Sequence, residues 1–231
     1  MIIPPSYAKA KWIVDHLMAY ARAYGLIGGI FRIGQICGDS QHGIWNQREA
    51  IPLLIQAASV LGVVPYAYVD GKDQVSWMPV DHFAEGLVAA VVHHEDTGGN
   101  IPVWNFSNPH PTPWRRIVRA TQRALPGGAR AVPYDQWLDI LKAHRKDSRV
   151  LAPKLLPYYS SGLFPAQPFE HVAVAATLAK DRLEGRGSWE FCEIDEALII
   201  KMIIRWMEEG FIASAGPRLA HLHTSHRDAK L

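Results

Sequence analysis

Tyr7 and Lys11 stand four residues apart, so in a helix they share one face. A phenol and an ammonium so placed can cooperate. The cation favours the phenolate and pulls the tyrosine pKa down from its usual value of about 10. Such a tyrosine can hand a proton to a carbonyl oxygen as hydride reaches the adjacent carbon, and the lysine can also hold a ribose hydroxyl. The spacing alone is weak evidence. With eight Tyr and nine Lys, about 0.3 such pairs arise by chance, and a solvated pair on a helix surface is the commoner outcome. Tyr68 and Lys72 have the same spacing but straddle the turn signal Asp70-Gly71.

The elements around the pair are legible. Ala10, Ile13, Val14, Leu17, Ala21 and Tyr24 recur at helical spacing, which predicts a helix over Tyr7–Tyr24, entered through Pro4-Pro5-Ser6 and stopped by Gly25. Leu26–Ile33 is short and apolar and reads as a buried strand. Gly34–Asn46 is polar and reads as a loop. Ile51, Leu54, Ile55 and Ala58 mark a second helix ending at Gly62, with Pro65 just beyond. Strands are expected over Gln74–Pro79, Ile101–Phe106 and Ala129–Pro133. Helices are expected over Val80–His93, Pro113–Leu125, Tyr134–Lys146 and Ile194–Phe211. Leu151–Pro168 carries four prolines and no clear period, and the tail after Gly216 reads as a frayed end. Strands alternating with helices predict an α/β fold with more helix toward the C-terminus.

Composition removes several function classes. The chain has 231 residues, 48% hydrophobic and 20% charged, enough for a real core. A net charge of +2 leaves no overall electrostatic footprint for nucleic acid or an anionic membrane. No apolar run approaches the roughly 18 residues that span a bilayer, and the first residues lack the pattern of a signal peptide. Two cysteines, Cys37 and Cys192, fit a reducing compartment and point to the cytoplasm. Cys37 reads as a small buried thiol. His221, His223 and His226 are close together but follow Gly216-Pro217 in the tail, so no metal site is expected. His93-His94 reads as a helix-end pair. Asp81 suits the first turn of its helix, with ligand contact as the alternative. Trp12, Trp77, Trp114, Trp137 and Trp206 are expected in the core.

Three blocks in order carry a resemblance: Tyr7-Ala-Lys-Ala-Lys11-Trp12, then Phe31-Arg-Ile-Gly-Gln-Ile-Cys-Gly-Asp39 with Gly43-Ile-Trp-Asn46, then Val75-Ser-Trp-Met-Pro-Val-Asp81. Together they resemble the terminal thioester reductase domain of non-ribosomal peptide synthetases and of adenylate-forming reductases, which are extended short-chain dehydrogenase/reductases. The likeness is strongest from Tyr7 to Asp81, continues through Asn105–Pro109 and thins afterwards. It implies that Tyr7 is the general acid and Lys11 its pKa-lowering, ribose-binding partner. Arg32, Gly34, Gln35 and Ile36 would lie beneath the nicotinamide of NADPH, with Gly34 admitting close backbone approach. Gln35 would also lie near the substrate carbonyl, and Trp45 and Asn46 could line the acyl pocket. The substrate would be an acyl thioester on a carrier protein's phosphopantetheine arm, released as an aldehyde or alcohol in lysine-type or secondary-metabolite biosynthesis.

The sequence departs from that family where the cofactor pyrophosphate is held. A Gly-rich turn after the first strand and a catalytic Ser or Thr normally precede the tyrosine; here the tyrosine is residue 7. The expectation is therefore the C-terminal portion of a Rossmann-like fold with its N-terminal cofactor-binding half missing. Residues 1–110 would be the core remnant, 111–215 a helical substrate region and 216–231 a flexible tail. A non-catalytic remnant or carrier-binding module is the alternative. The expected partners are the carrier and the missing half, with self-association through the open edge of Leu26–Ile33. The basic face Arg115, Arg116, Arg119 and Arg123 offers a carrier-docking alternative.

Overall fold

The computed structural model describes residues 5–66, 73–92, 101–161 and 192–213, with side chains from Lys9 onward. Helix α1 (Pro5–Ala23) leads through Gly25, at φ 90°, into strand β1 (Ile30–Ile33). Strand β1 runs parallel to β6 (Val103–Phe106), with Ile30 opposite Val103 and Ile33 opposite Phe106. Among the described residues, β1 is paired on this side alone. The strand is shorter than Leu26–Ile33 predicts. Its pattern is not that of a buried strand either: only Ile30 is buried, and Leu26, Ile27 and Ile33 are exposed. Among the described residues the β1–β6 pair packs only against a small cluster, so most of β1 stays open.

The stretch read as one loop contains β2 (Ile36–Cys37), parallel to β5 (Met78–Pro79). The strand expected over Gln74–Pro79 breaks in two, because Ser76 and Trp77 leave the extended line between β4 (Gln74–Val75) and β5. Strand β4 instead pairs antiparallel with β7 (Thr112–Pro113). Helix α2 (Ala50–Leu61) is buried nearly all round and stops at Gly62, whose φ of 68° makes the left-handed cap. Immediately after it comes β3 (Val63–Tyr66), parallel to β8 (Arg130–Pro133). Pro65 conceals this strand in the sequence. It is tolerated because β3 is paired on one side only among the described residues.

Helix α3 (Val80–Val92) follows β5 directly. Helices α4 (Trp114–Ala124) and α5 (Tyr134–Ala143) follow β7 and β8. A 3-10 turn (Ala152–Leu155) and the short α6 (Leu156–Tyr159) give order to part of the proline-rich stretch. The last described helix, α7 (Glu196–Glu208), is capped by Asp195, whose side chain accepts from Leu198 N at 2.7 Å. It packs along α4.

One large core joins α2, β3, β8, α4, α5 and α7. Trp77, Trp114, Trp137 and Trp206 lie in it as expected, but Trp12 is 61% exposed on α1. The pairing of β3 with β8 and the large core both run across position 110. A second, small cluster of Met78, Ala90, Trp104 and Phe106 lies between the β1–β6 pair and α3. His93-His94, the second Tyr-x-x-x-Lys pair and the tail with His221, His223 and His226 lie outside the described residues.

Candidate active site

Tyr7 and Lys11 both belong to α1, one turn apart. Lys11 is exposed, and the side chain of Tyr7 lies outside the described residues. One turn after Lys11, Asp15 accepts from Arg32 Nη2 at 2.7 Å and from Nε at 3.2 Å. This fork ties α1 to the C-terminal half of β1, so the helix bearing the Tyr-x-x-x-Lys pair is held against the strand leading to the loop at Gly34. The guanidinium side is more than half exposed, so the pair fixes geometry and adds little stability.

The ends of β1 and β6 open on the same side, the place where ligands bind in open parallel sheets. There Gly34 N donates to Phe106 O at 2.8 Å, and a Cβ on Gly34 would come within 3.2 Å of that oxygen. The missing side chain thus serves the close approach of β1 to β6. Gln35 is fixed in detail. Its carbonyl oxygen accepts from Met78 N at 3.0 Å, while Nε2 donates to Ile36 O at 2.7 Å and to Glu49 Oε2 at 2.9 Å. Both side-chain partners are acceptors, so the amide nitrogen must face them and Oε1 remains as the acceptor. Glu49 also accepts from Trp45 Nε1 at 3.1 Å. Ile36 sits in β2, opposite Met78.

Beyond β2 the chain is clamped. Asp39 accepts from the amides of Gln41, His42 and Ile44. Burial alone would raise its pKa, but the amides of His42 and Ile44 outweigh it and hold the carboxyl below its ordinary value. Asp81 accepts from Ser40 N at 3.0 Å and from Ser40 Oγ at 2.6 Å. Here too burial is outweighed, by the Ser40 hydroxyl and amide, and the carboxyl is held low. From the opposite side Lys201 Nζ donates to Ser40 O at 2.8 Å. Asp81 therefore does more than suit a first turn: with Lys201 it closes a bridge from α3 through Ser40 to α7.

Trp45 is 6% exposed, packed edge-on to Trp77 with ring centroids 5.2 Å apart and beside Trp206, whose Nε1 donates to Trp45 O. The structure thus places it in the core. Asn46 is exposed, and its Oδ1 accepts from Arg48 N at 3.1 Å in the turn before α2. Cys37 is buried, and burial pushes its thiol well above its ordinary range, which suits an inert side chain. Among the described residues no group of three or more His, Cys, Asp or Glu could hold a metal ion. No helix there is long and apolar enough to cross a membrane.

The residues suit the nicotinamide end of a dinucleotide better than its pyrophosphate. Gly34 and Gln35 lie at the carboxyl ends of parallel strands. Gly38 and Gly43 follow β1 in the chain but are buried against the protein itself. A Cβ on Gly43 would come within 2.9 Å of the α7 backbone at Met202, and one on Gly38 within 3.1 Å of Ile44 O. These glycines serve packing, so the loop offers no phosphate cradle. No sequence motif marks Asp15, Ser40, Glu49 or Lys201. Their partners lie 17, 41, 14 and 161 positions away, beyond the reach of local patterns.

Residues 2–87 match the family model described as Male sterility protein, an NAD-binding family. An adenylate-forming reductase of Aspergillus terreus is 26% identical over 209 residues, 88% of this chain. The chain spans 19% of the length of that relative. Among solved structures, the terminal R domain from the myxalamid PKS-NRPS pathway superposes with a TM-score of 0.73 at 24% identity, over 90% of this chain and 50% of that domain. An archaeal thiolation-reductase di-domain superposes with a TM-score of 0.59 at 17% identity, over 83% of this chain and 38% of that one. The chain is thus similar over its first part to the male sterility protein family and over most of its length to an adenylate-forming reductase, and with its helix leading into a parallel strand pair it shares the fold of the solved terminal R domain.

Proposed function

We propose that the chain supplies the proton-donating and carbonyl-facing part of an NADPH-dependent thioester reductase that releases a carrier-bound acyl group as an aldehyde. The observation that carries the reading is the path α1–β1–Gly34. A helix with Tyr7 and Lys11 is tied by Asp15 and Arg32 to a strand whose end delivers Gln35 to the open side of a parallel pair. Tyr7 would protonate the developing alkoxide oxygen, and Lys11 would favour the phenolate and hold a ribose hydroxyl. Gln35, its amide nitrogen fixed by Glu49, offers an acceptor to a donor on the nicotinamide side. Arg32 acts through its hold on Asp15, and the backbone at Gly34 and Ile36 forms the floor. NADPH, when bound, supplies the hydride that attacks the thioester carbon as the thiol leaves.

The pyrophosphate turn and the serine or threonine of such a site would come from polypeptide outside residues 1–231, on the same chain or another. That half would lie on the free edge of β1 and the apolar sides of α1 and α3. The test is complementation. Residues 1–231 alone should bind NADPH weakly and reduce nothing. Fused to, or mixed with, the N-terminal half of a related reductase domain, they should consume NADPH and convert an acyl-pantetheine thioester to an aldehyde. Micromolar NADPH binding by the chain alone, or a soluble complemented domain that forms no aldehyde, would refute the proposal.

A further inference from the structure

Besides the arginine face of α4, positive charge gathers in a second stretch of the chain. Lys142, Arg145, Lys146, Arg149 and Lys154 stand within a short segment against a single acid, Asp147, while the whole chain nets only +2. The rest of the molecule is therefore slightly acidic. The stretch is built rather than loose. Gln56, 6% exposed in α2, donates Nε2 to Arg149 O at 2.8 Å and accepts at Oε1 from Leu151 N at 3.1 Å, pinning the backbone from beneath. Asp147 forks with Arg149, and Asp139 takes Lys142. That leaves Arg145, Lys146 and Lys154 exposed, with no carboxylate partner among the described residues.

These three cations line an open groove of about 650 Å³ together with Ser148, Asp147, whose carboxylate Arg149 takes, and the apolar Val150, Leu151, Pro153 and Leu156. Val150 is buried and the other three apolar residues are half-buried, so they form a floor beneath a charged rim. The arrangement differs from the arginine face of α4. There Arg116 meets Glu193 and Arg123 meets Glu196, so half of that charge is already neutralised within the chain. A charged rim speeds and orients encounter with a surface of opposite sign, and an apolar floor slows its departure. A nucleic-acid strand would call for aromatic platforms for its bases; none line this groove.

We infer that the groove docks an acidic protein surface with an apolar side chain at its centre, the acidic face of a carrier domain, seating carboxylates on Arg145, Lys146 and Lys154. The identity of the partner rests on the function proposed above; its chemistry rests on the groove. The experiment titrates the full chain into a fluorescently labelled acidic carrier domain bearing phosphopantetheine and reads anisotropy at low and high salt. The expected result is binding that weakens with salt. Lys146→Glu with Lys154→Glu should weaken it about tenfold or more, while Arg115→Glu with Arg119→Glu should stay within about twofold. No carrier binding, equal affinity in the Lys146/Lys154 variant, or tighter binding of a single-stranded oligonucleotide would overturn the inference. A small acyl-pantetheine thioester needs no docking, so its reduction by the complemented domain should be unchanged in the Lys146/Lys154 variant. Loss of that turnover in the variant would overturn docking as the role of these lysines. Absence of turnover in the unsubstituted domain would indict the functional reading instead.

Discussion

The molecule has two unequal sides. Among the described residues, thirty buried apolar residues form one cluster around α2, β3, β8, α4, α5 and α7, and four form another between β1–β6 and α3. On the weaker side α1 carries Ile13, Val14 and Leu17 exposed beside Trp12, and α3 carries Val88, Val91 and Val92 exposed, Val92 at 68%. Among the described residues, strand β1 is paired on one edge only. The candidate chemistry lies on this thinly packed side, whereas the clamp at Ser40 reaches it from α7 in the large core. Secondary structure and packing are therefore separable. Apolar residues recur at helical spacing in both α1 and α4, yet among the described residues α4 buries its stripe and α1 leaves it exposed.

Substitution in the large core has the largest expected effect. Trp206→Ala removes a fully buried ring together with its bond to Trp45 O, and should cost about 3–5 kcal/mol in urea unfolding. Leu17→Ala on α1 should stay within about 0.5 kcal/mol. Comparable losses in the two variants would show that α1 is as well packed as the core.

Next in size is the clamp. Asp81→Ala strands the Ser40 hydroxyl and amide and should cost about 1–3 kcal/mol. Its pH dependence has a definite sign. Asp39 and Asp81 are held below their unfolded values, so their stabilisation is complete above the ordinary carboxylate pKa of about 4 and disappears as pH falls through the lower folded values. Unfolding followed from neutral to acid pH should therefore be steeper in the parent than in Asp81→Asn; parallel curves would remove Asp81 from the acid transition.

The exposed side gives a smaller stability signal and a clearer solution signal. The chain alone should bind a hydrophobic dye and associate with rising concentration through the β1 edge and its apolar flanks. Leu17→Glu with Val91→Glu should cut dye binding severalfold at little cost in stability. Light scattering that finds a monodisperse monomer with little dye binding would mean that these surfaces are covered. Smallest of all, Arg32→Ala should cost less than about 1 kcal/mol, because the ion pair with Asp15 is solvated.

Helices were legible in the sequence because apolar period and punctuation coincide: Gly62 ends α2 and Gly25 follows α1 where each is expected. Strands were less so. β3 hides behind Pro65, β2 has two residues, and Leu26–Gly29 is apolar without being paired. Of the candidate site, Tyr7, Lys11, Gln35 and Asp81 stand in motifs of the sequence. Glu49 and Ser40 do not; what matters about them is a hydrogen bond made across the fold. Trp45 misled for a related reason: it follows a glycine-containing loop, yet its ring turns into the core against Trp77 and Trp206.

Turnover in a complemented domain, unsubstituted and with Tyr7→Phe, tests Tyr7 as the proton donor. Phenylalanine keeps the ring and removes the proton donor. With NADPH and an acyl-pantetheine thioester saturating, Tyr7→Phe should lower the rate of aldehyde formation by about 10²–10⁴-fold while NADPH affinity changes little. An unchanged rate would contradict the assignment of Tyr7 as the general acid.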